Sequence, residues 1–114
     1  MSEFLFLYRG GMPMTASAAD LQAQMEKWGA WLKELATRGH VKDPGHPLEK
    51  FGRVVQGSSK TVNDGPYAEA KDLVGGYTLI NAKDLDHAAE LSRGCPVLAF
   101  GGSVEIRPLI AMKP

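Results

Sequence analysis

The segment Phe4-Leu5-Phe6-Leu7-Tyr8 constrains the fold more than any other stretch of this 114-residue chain. Successive side chains of a strand point to opposite faces, so Phe4, Phe6 and Tyr8 share one face and Leu5 and Leu7 the other. Both faces are apolar, which places the strand in the middle of a sheet with cover on each side. Gly10, Gly11 and Pro13 end it. Ser17 and Asp20 then form the pattern of a capping pair that opens a helix. Leu21, Met25, Trp28, Leu32 and Leu35 recur at steps of four, three, four and three, lining one helical face that should pack on the sheet. Trp28 lies on that stripe and is expected in the core, whereas Trp31 is open between core and surface. Gly39 suits the left-handed position beyond a helix end, so the helix is expected from about Ala18 to about Arg38.

His40 to Glu49, with Pro44, Gly45 and Pro47, reads as a loop. Phe51 to Gln56 predicts a strand, Gly57-Ser58 a turn, and Lys60-Thr61-Val62 the returning partner strand. Val74 to Ala82 carries the β-branched and aromatic residues of a further strand. Asp84 caps a short helix through Arg93 that Gly94 closes. Ser103-Val104-Glu105-Ile106-Arg107 alternates strictly and predicts a half-buried final strand. The fold class is therefore α+β in one domain over 1–114, a ferredoxin-like βαββαβ core with an extra hairpin in the middle. Two helices cover only one face of such a sheet, yet the central strand is apolar on both. A second copy of the chain is the natural cover, which predicts a homodimer and a dimeric α/β barrel.

Thirteen basic and thirteen acidic residues balance, which argues against a nucleic-acid footprint of clustered Lys and Arg. Cys95 is the only cysteine, so no internal disulfide or multi-cysteine zinc set can form, and a reducing compartment is the simpler expectation. The apolar N-terminal segment is too short to span a membrane and lacks the basic flank and cleavage site of a leader. These features predict a cytoplasmic protein with an intact N-terminus and no membrane association. No Gly-rich turn followed by Lys and Ser or Thr opens a helix, so no phosphate-binding loop or other cofactor is expected. His40, His46 and His87 do not have metal-ligand spacing, and no metal is expected. Cys95 sits between Gly94 and Pro96, where a small buried thiol is expected rather than a nucleophile.

Asn63-Asp64-Gly65-Pro66-Tyr67-Ala68-Glu69-Ala70-Lys71, followed by Leu73-Val74-Gly75-Gly76-Tyr77, concentrates turn formers and charge in one run. Two readings of Asp64 stand open. It forms the turn by accepting backbone amide hydrogen bonds, or it is a carboxylate held at the mouth of a cleft as a general acid or base. Glu69 and Lys71, two apart, project to the same side of an extended segment and either pair in solvent or bind a polar ligand. Gly75-Gly76 inside a strand is unfavourable on propensity, which points to a close backbone approach or a bulge. Glu105 and Arg107 share a face of the final strand and either meet solvent or, in a dimer, line a pocket.

The Asp64-Gly65-Pro66-Tyr67 turn, leading through Glu69 and Lys71 to Gly75-Gly76-Tyr77, resembles the signature of the YCII-related proteins, also called the DGPF family. Tyr67 stands where the family has phenylalanine. The likeness extends over the opening strand, the Trp-bearing helix, Gly94-Cys95-Pro96 and the terminal Gly102-to-Pro108 segment. It implies a dimeric α/β barrel in which Asp64 is a suspected active-site residue, and it puts Glu69 and Lys71 forward as ligand-binding candidates, to which Tyr67 in the turn and Arg107 on the final strand are added. Broader relatives pair a histidine on the first helix with an aspartate, an arrangement suited to proton abstraction or lyase chemistry. Here the first helix offers Gln24, Lys27, Trp28 and Trp31 and no histidine, so only Asp64 carries over. Two functions follow from the resemblance. One is a lyase- or isomerase-like enzyme on a small organic molecule. The other is a non-catalytic accessory or regulatory module linked to transcription.

Overall fold

Alternation in the first segment is realised as an eight-residue strand, β1 (Ser2–Arg9). The structure, a computed structural model, describes residues 1–11, 16–65 and 72–112. After β1 come α1 (Ala18–Thr37), β2 (Val41–Asp43), β3 (Gly52–Gln56), β4 (Thr61–Gly65), β5 (Val74–Ala82), α2 (Leu85–Ser92), a 3₁₀ turn at Pro96–Phe100 and β6 (Ser103–Pro108). One antiparallel sheet has the order β2-β5-β1-β6, and β3 and β4 form a separate two-stranded sheet. With that hairpin set aside, the order βαββαβ, with the last strand beside the first, is consistent with a ferredoxin-like core.

Register decides which residues meet the helices. Phe4 lies opposite Ile80 and Pro108, Phe6 opposite Thr78 and Ile106, and Tyr8 opposite Gly76 and Val104. Phe4, Phe6, Tyr8, Ile80, Ala88, Leu91 and Val97 are buried together in the core. Phe6 stacks on Trp31 with ring centres 6.2 Å apart, and Tyr8 meets Trp28 edge-on at 4.6 Å. The Tyr8 hydroxyl donates to Thr78 Oγ1 at 2.7 Å, and the Thr78 hydroxyl donates to the Pro44 carbonyl at 3.0 Å. That relay satisfies the polar atoms which β1 and β5 carry into the core.

Helix α1 opens on the expected capping box, with the Asp20 amide donating to Ser17 Oγ at 3.0 Å. Its buried row differs from the predicted stripe. Gln24, Trp31 and Leu35 are buried and Trp28 and Leu32 half-buried, whereas Met25 is 69 % exposed and Leu21 also faces out. The two indoles settle the rotation, because only that phase lets both rest on Phe6 and Tyr8. Gln24 tolerates burial because its side-chain amide donates to the Pro96 carbonyl at 3.1 Å.

The predicted loop from His40 to Glu49 contains a short edge strand, β2. The Asn81 amide donates to the His40 carbonyl at 2.7 Å, and Val41 pairs with Ile80. Pro47 then bridges to Gly76. A Cβ on Gly76 would stand 3.1 Å from the His46 carbonyl oxygen, so the close backbone approach expected of the Gly-Gly pair is present at Gly76. The β3–β4 hairpin turns through Gly57 and Lys60, both at positive φ, and β4 starts at Thr61, one residue later than expected. No described helix is long and apolar enough to cross a membrane.

The altered helix phase has a direct test. Trp31→Ala should cost about 3–5 kcal/mol in urea denaturation, whereas Met25→Ala should change stability by no more than about 0.5 kcal/mol. Equal losses at the two positions would restore the predicted stripe.

Candidate functional site

Both described helices lie on the Phe4/Phe6/Tyr8 side of the sheet, so no described helix covers the opposite, open face. Strand parity places Leu5, Leu7 and Arg9 of β1, Tyr77 and Leu79 of β5, and Glu105 and Arg107 of β6 on that face. Leu5 lies opposite Leu79 and Arg107, and Leu7 opposite Tyr77 and Glu105. The result is an apolar centre of half-buried Leu5, Leu7, Tyr77 and Leu79 with a charged border.

Arg9 organises that border. Its Nη2 donates to Glu105 Oε1 at 2.7 Å and its Nη1 to the Asp72 carbonyl at 2.6 Å. Arg107 reaches the other carboxylate oxygen, Nη1 to Oε2 at 3.4 Å. Glu105 is thereby shared by two guanidinium groups. The Arg9 hydrogen bond, aided by the charges of Arg9 and Arg107, holds its carboxyl below the usual carboxylate range against partial desolvation. Arg107 keeps two thirds of its side chain exposed and so presents a cation to whatever meets this face. Arg9 went unrecognised as a candidate in the sequence, yet the signal was there. Pairing the first strand with the last puts Arg9 diagonal to Glu105 on the Leu5/Leu7 face.

Asp64 stands elsewhere. It lies near the end of β4, paired across the ladder with Arg53, whose Nη1 approaches Asp64 Oδ1 at 3.1 Å, and the turn expected after it lies outside the described residues. Its side chain is 91 % exposed, so no cleft among the described residues encloses it. Tyr67, Glu69 and Lys71 fall outside the described residues. The flanks of that stretch are described: Gly65 closes β4, and Asp72 is the residue held by Arg9.

The histidines divide. His40 is buried and its ring lies 5.1 Å from that of His87, while the His46 ring is 6.3 Å from Tyr77. His40 Nδ1 lies 3.0 Å from the Asn81 carbonyl, which requires the proton on that nitrogen, and His87 Nδ1 accepts the Lys83 amide hydrogen at 3.0 Å. These bonds fix rings on the helix side of the sheet, away from the open face. Among the described residues, no group of three His, Cys, Asp or Glu is placed to hold a metal. Cys95 is buried, and burial pushes its thiol up to about 12, which suits packing rather than nucleophilic attack.

A model of the YCII-related domain matches residues 11–113. The chain belongs to the YCII-related family. An uncharacterised protein of Rhizobium meliloti (strain 1021), R00369, is 41 % identical over 54 residues, a stretch covering 46 % of this chain and 44 % of the relative. Among solved structures, 5-chloro-2-hydroxyhydroquinone dehydrochlorinase (TftG) from Burkholderia phenoliruptrix AC1100, in complex with 2,5-dihydroxybenzoquinone, superposes with a TM-score of 0.51. That match covers 95 % of this chain and 93 % of the other at 19 % identity, a likeness of fold. The α+β architecture with an antiparallel sheet and two described helices is thus shared with that dehydrochlorinase.

Because the folded-state pKa of Glu105 is depressed, its contribution to stability is present above the unfolded value of about 4.3 and is lost as pH falls through the folded value. Arg9→Met should return the Glu105 carboxyl toward the ordinary range in a carbon-detected NMR titration. The stability gap between wild type and Arg9→Met should also narrow as pH falls below about 4. An unchanged Glu105 titration in the variant would show that Arg9 does not control this carboxylate.

Proposed function

We propose that this YCII-related protein is a cytoplasmic homodimer that pairs its open sheet faces as a dimeric α/β barrel. It binds a small organic molecule in the cleft between sheet and loops and acts on it by lyase- or isomerase-like proton transfer. The observation that carries this reading is the uncovered face itself, with an apolar centre at Leu5, Leu7, Tyr77 and Leu79 and a charged border at Arg9, Glu105 and Arg107. An apolar floor with a few convergent polar groups is the usual make-up of a small-molecule site. Asp64 serves as the proton-transfer residue. Arg107, Tyr67, Glu69 and Lys71 orient the ligand, with the cations suited to oxygens that gain negative charge.

The structural neighbour's name supports this chemistry. A dehydrochlorinase removes the elements of HCl, a reaction in which a base takes a proton, and that enzyme was solved with a hydroxylated quinone. A planar ring bearing acidic hydroxyls would suit Arg107 and Tyr77 here. The alternative, an accessory ligand- or protein-binding module linked to transcription, draws on the lack of a histidine in α1.

Light scattering at micromolar concentration should give the mass of a dimer, and a monomeric mass would sink the barrel reading. A thermal-shift screen against small hydroxylated aromatics and carboxylates should find a stabilising compound. At one hundred times its dissociation constant such a ligand contributes about 2.7 kcal/mol. Asp64→Asn should fold as wild type, because the side chain is solvent-exposed, yet lose turnover of that compound. A folded Asp64→Asn that binds and turns over as wild type would remove Asp64 from the chemistry. Failure of every compound would favour the accessory module.

A further inference from the structure

The β3–β4 hairpin is not explained by the chain that carries it. A two-stranded hairpin is at best marginally stable in water unless a third strand or a helix packs on it. Here β3 and β4 pair with each other and join no other strand, and they pack on no described helix or strand to a comparable extent. Opposed residues of an antiparallel pair share a face, so the Val55–Val62 and Arg53–Asp64 pairs project to the same side. That side is open to solvent: Val55 is 64 % and Val62 60 % exposed, and Phe51, immediately before β3, is 76 % exposed. Large aliphatic and aromatic side chains gathered on an otherwise unsupported ribbon mark a surface made to be covered.

We propose that, as the open faces pair, this hairpin is an arm that docks along the charged border of the second copy's sheet face and delivers Asp64 there in trans. Each candidate site is then complete only when the other protomer supplies its arm. The inference rests on the homodimer reading above and adds which element crosses and which residue it brings.

Area favours a second copy as the occupant. The chain exposes 8142 Å², whereas a folded monomer of 12.3 kDa exposes about 6,100 Å². The excess of about 2,000 Å² is the scale that each protomer of an extensive obligate dimer buries. The chain is also only 19 Å thick along its shortest axis, against 47 and 46 Å along the others. Two-fold symmetry makes the contact reciprocal, so two arms and two open faces are satisfied together.

Charge complementarity points to the same surface. Docking the Val55/Val62 side also buries the Arg53–Asp64 pair, and a desolvated ion pair is costly unless further polar partners meet it. The open face supplies them beside its apolar centre. Arg107 is an exposed cation for Asp64, and Glu105 is an anion on the same border for Arg53. In one chain Asp64 and Arg107 belong to separate sheets. Across a dimer they form a carboxylate–guanidinium contact at the edge of an apolar cleft, the arrangement the proposed proton transfer needs.

A charge swap between chains tests this contact, with dissociation constants read by sedimentation equilibrium. In the Asp64→Lys homodimer both contacts oppose lysine to arginine, and in the Arg107→Glu homodimer both oppose aspartate to glutamate. In a mixed dimer of the two variants, one contact is lysine to glutamate and the other aspartate to arginine. Each variant alone should dimerise at least tenfold more weakly than wild type, and the equimolar mixture should regain near wild-type affinity. Circular dichroism will show both variants folded, since both side chains are solvent-exposed within the chain. In wild type, hydrogen exchange across residues 53–63 should slow on dimerisation and speed up on dilution. A wild-type dimer with unweakened variants, no recovery on mixing, or hairpin exchange independent of concentration would overturn the arm while leaving the homodimer standing. A wild-type monomer would overturn both.

Discussion

The position of β1 between β5 and β6 is the constraint on which the rest of the structure depends. Its Phe4, Phe6 and Tyr8 row receives the indoles of α1 and the apolar side chains of α2 and the 3₁₀ turn, and this packing fixes both helices on one side. The same parity sends Leu5, Leu7 and Arg9 to the other side, where no described helix follows them. Burial at about 25 cal/mol per Å² acts on both rows alike, so a strand that is apolar on both faces gives the open side a standing drive toward association.

Much of this was legible because it depends on local rules. The capping box at Ser17 and Asp20, the left-handed Gly39, the Asp84 cap and the alternation of β6 each follow from neighbours a few residues apart, and each is present. The rotation of α1 was not legible. Hydrophobicity counts Met25 and Leu21 as core residues and Gln24 as surface, whereas the shape of Trp31 over Phe6 and the free carbonyl of Pro96 reverse that order. Strand β2 was hidden for a similar reason. Three residues held by one edge of β5 carry no periodic pattern, and the prolines around them read as loop.

The candidate site was legible in its residue types but not in its grouping. Arg107 and Glu105 were visible from the alternation of one strand, while Arg9 needed the pairing of first strand with last. Asp64 was visible as part of a turn signature; the structure places it near the end of β4 opposite Arg53, and the residues that would follow it through the turn lie outside the described residues. The sequence gives no hint that this hairpin stands apart from the main sheet, since β3 and β4 carry ordinary strand residues on both faces.

The division of labour between the two faces follows from how their polar groups are satisfied. On the helix side Tyr8, Thr78, Gln24 and His40 all have partners within the fold, and burial raises the Tyr8 hydroxyl far above its ordinary pKa, so these buried groups serve packing. On the open side the polar groups remain at or near solvent. Arg107 retains donors that its contact with Glu105 leaves free, and Asp64 has only Arg53 beside it among the described residues. A carboxylate in water at the end of a hairpin has little power to direct a proton, because bulk water screens its interactions and competes for its hydrogen bonds. The same carboxylate against an apolar wall and a fixed guanidinium has both direction and strength. Under the proposed function, chemistry at Asp64 therefore depends on association, and a ligand that spanned Asp64 and Arg107 would tighten the proposed dimer.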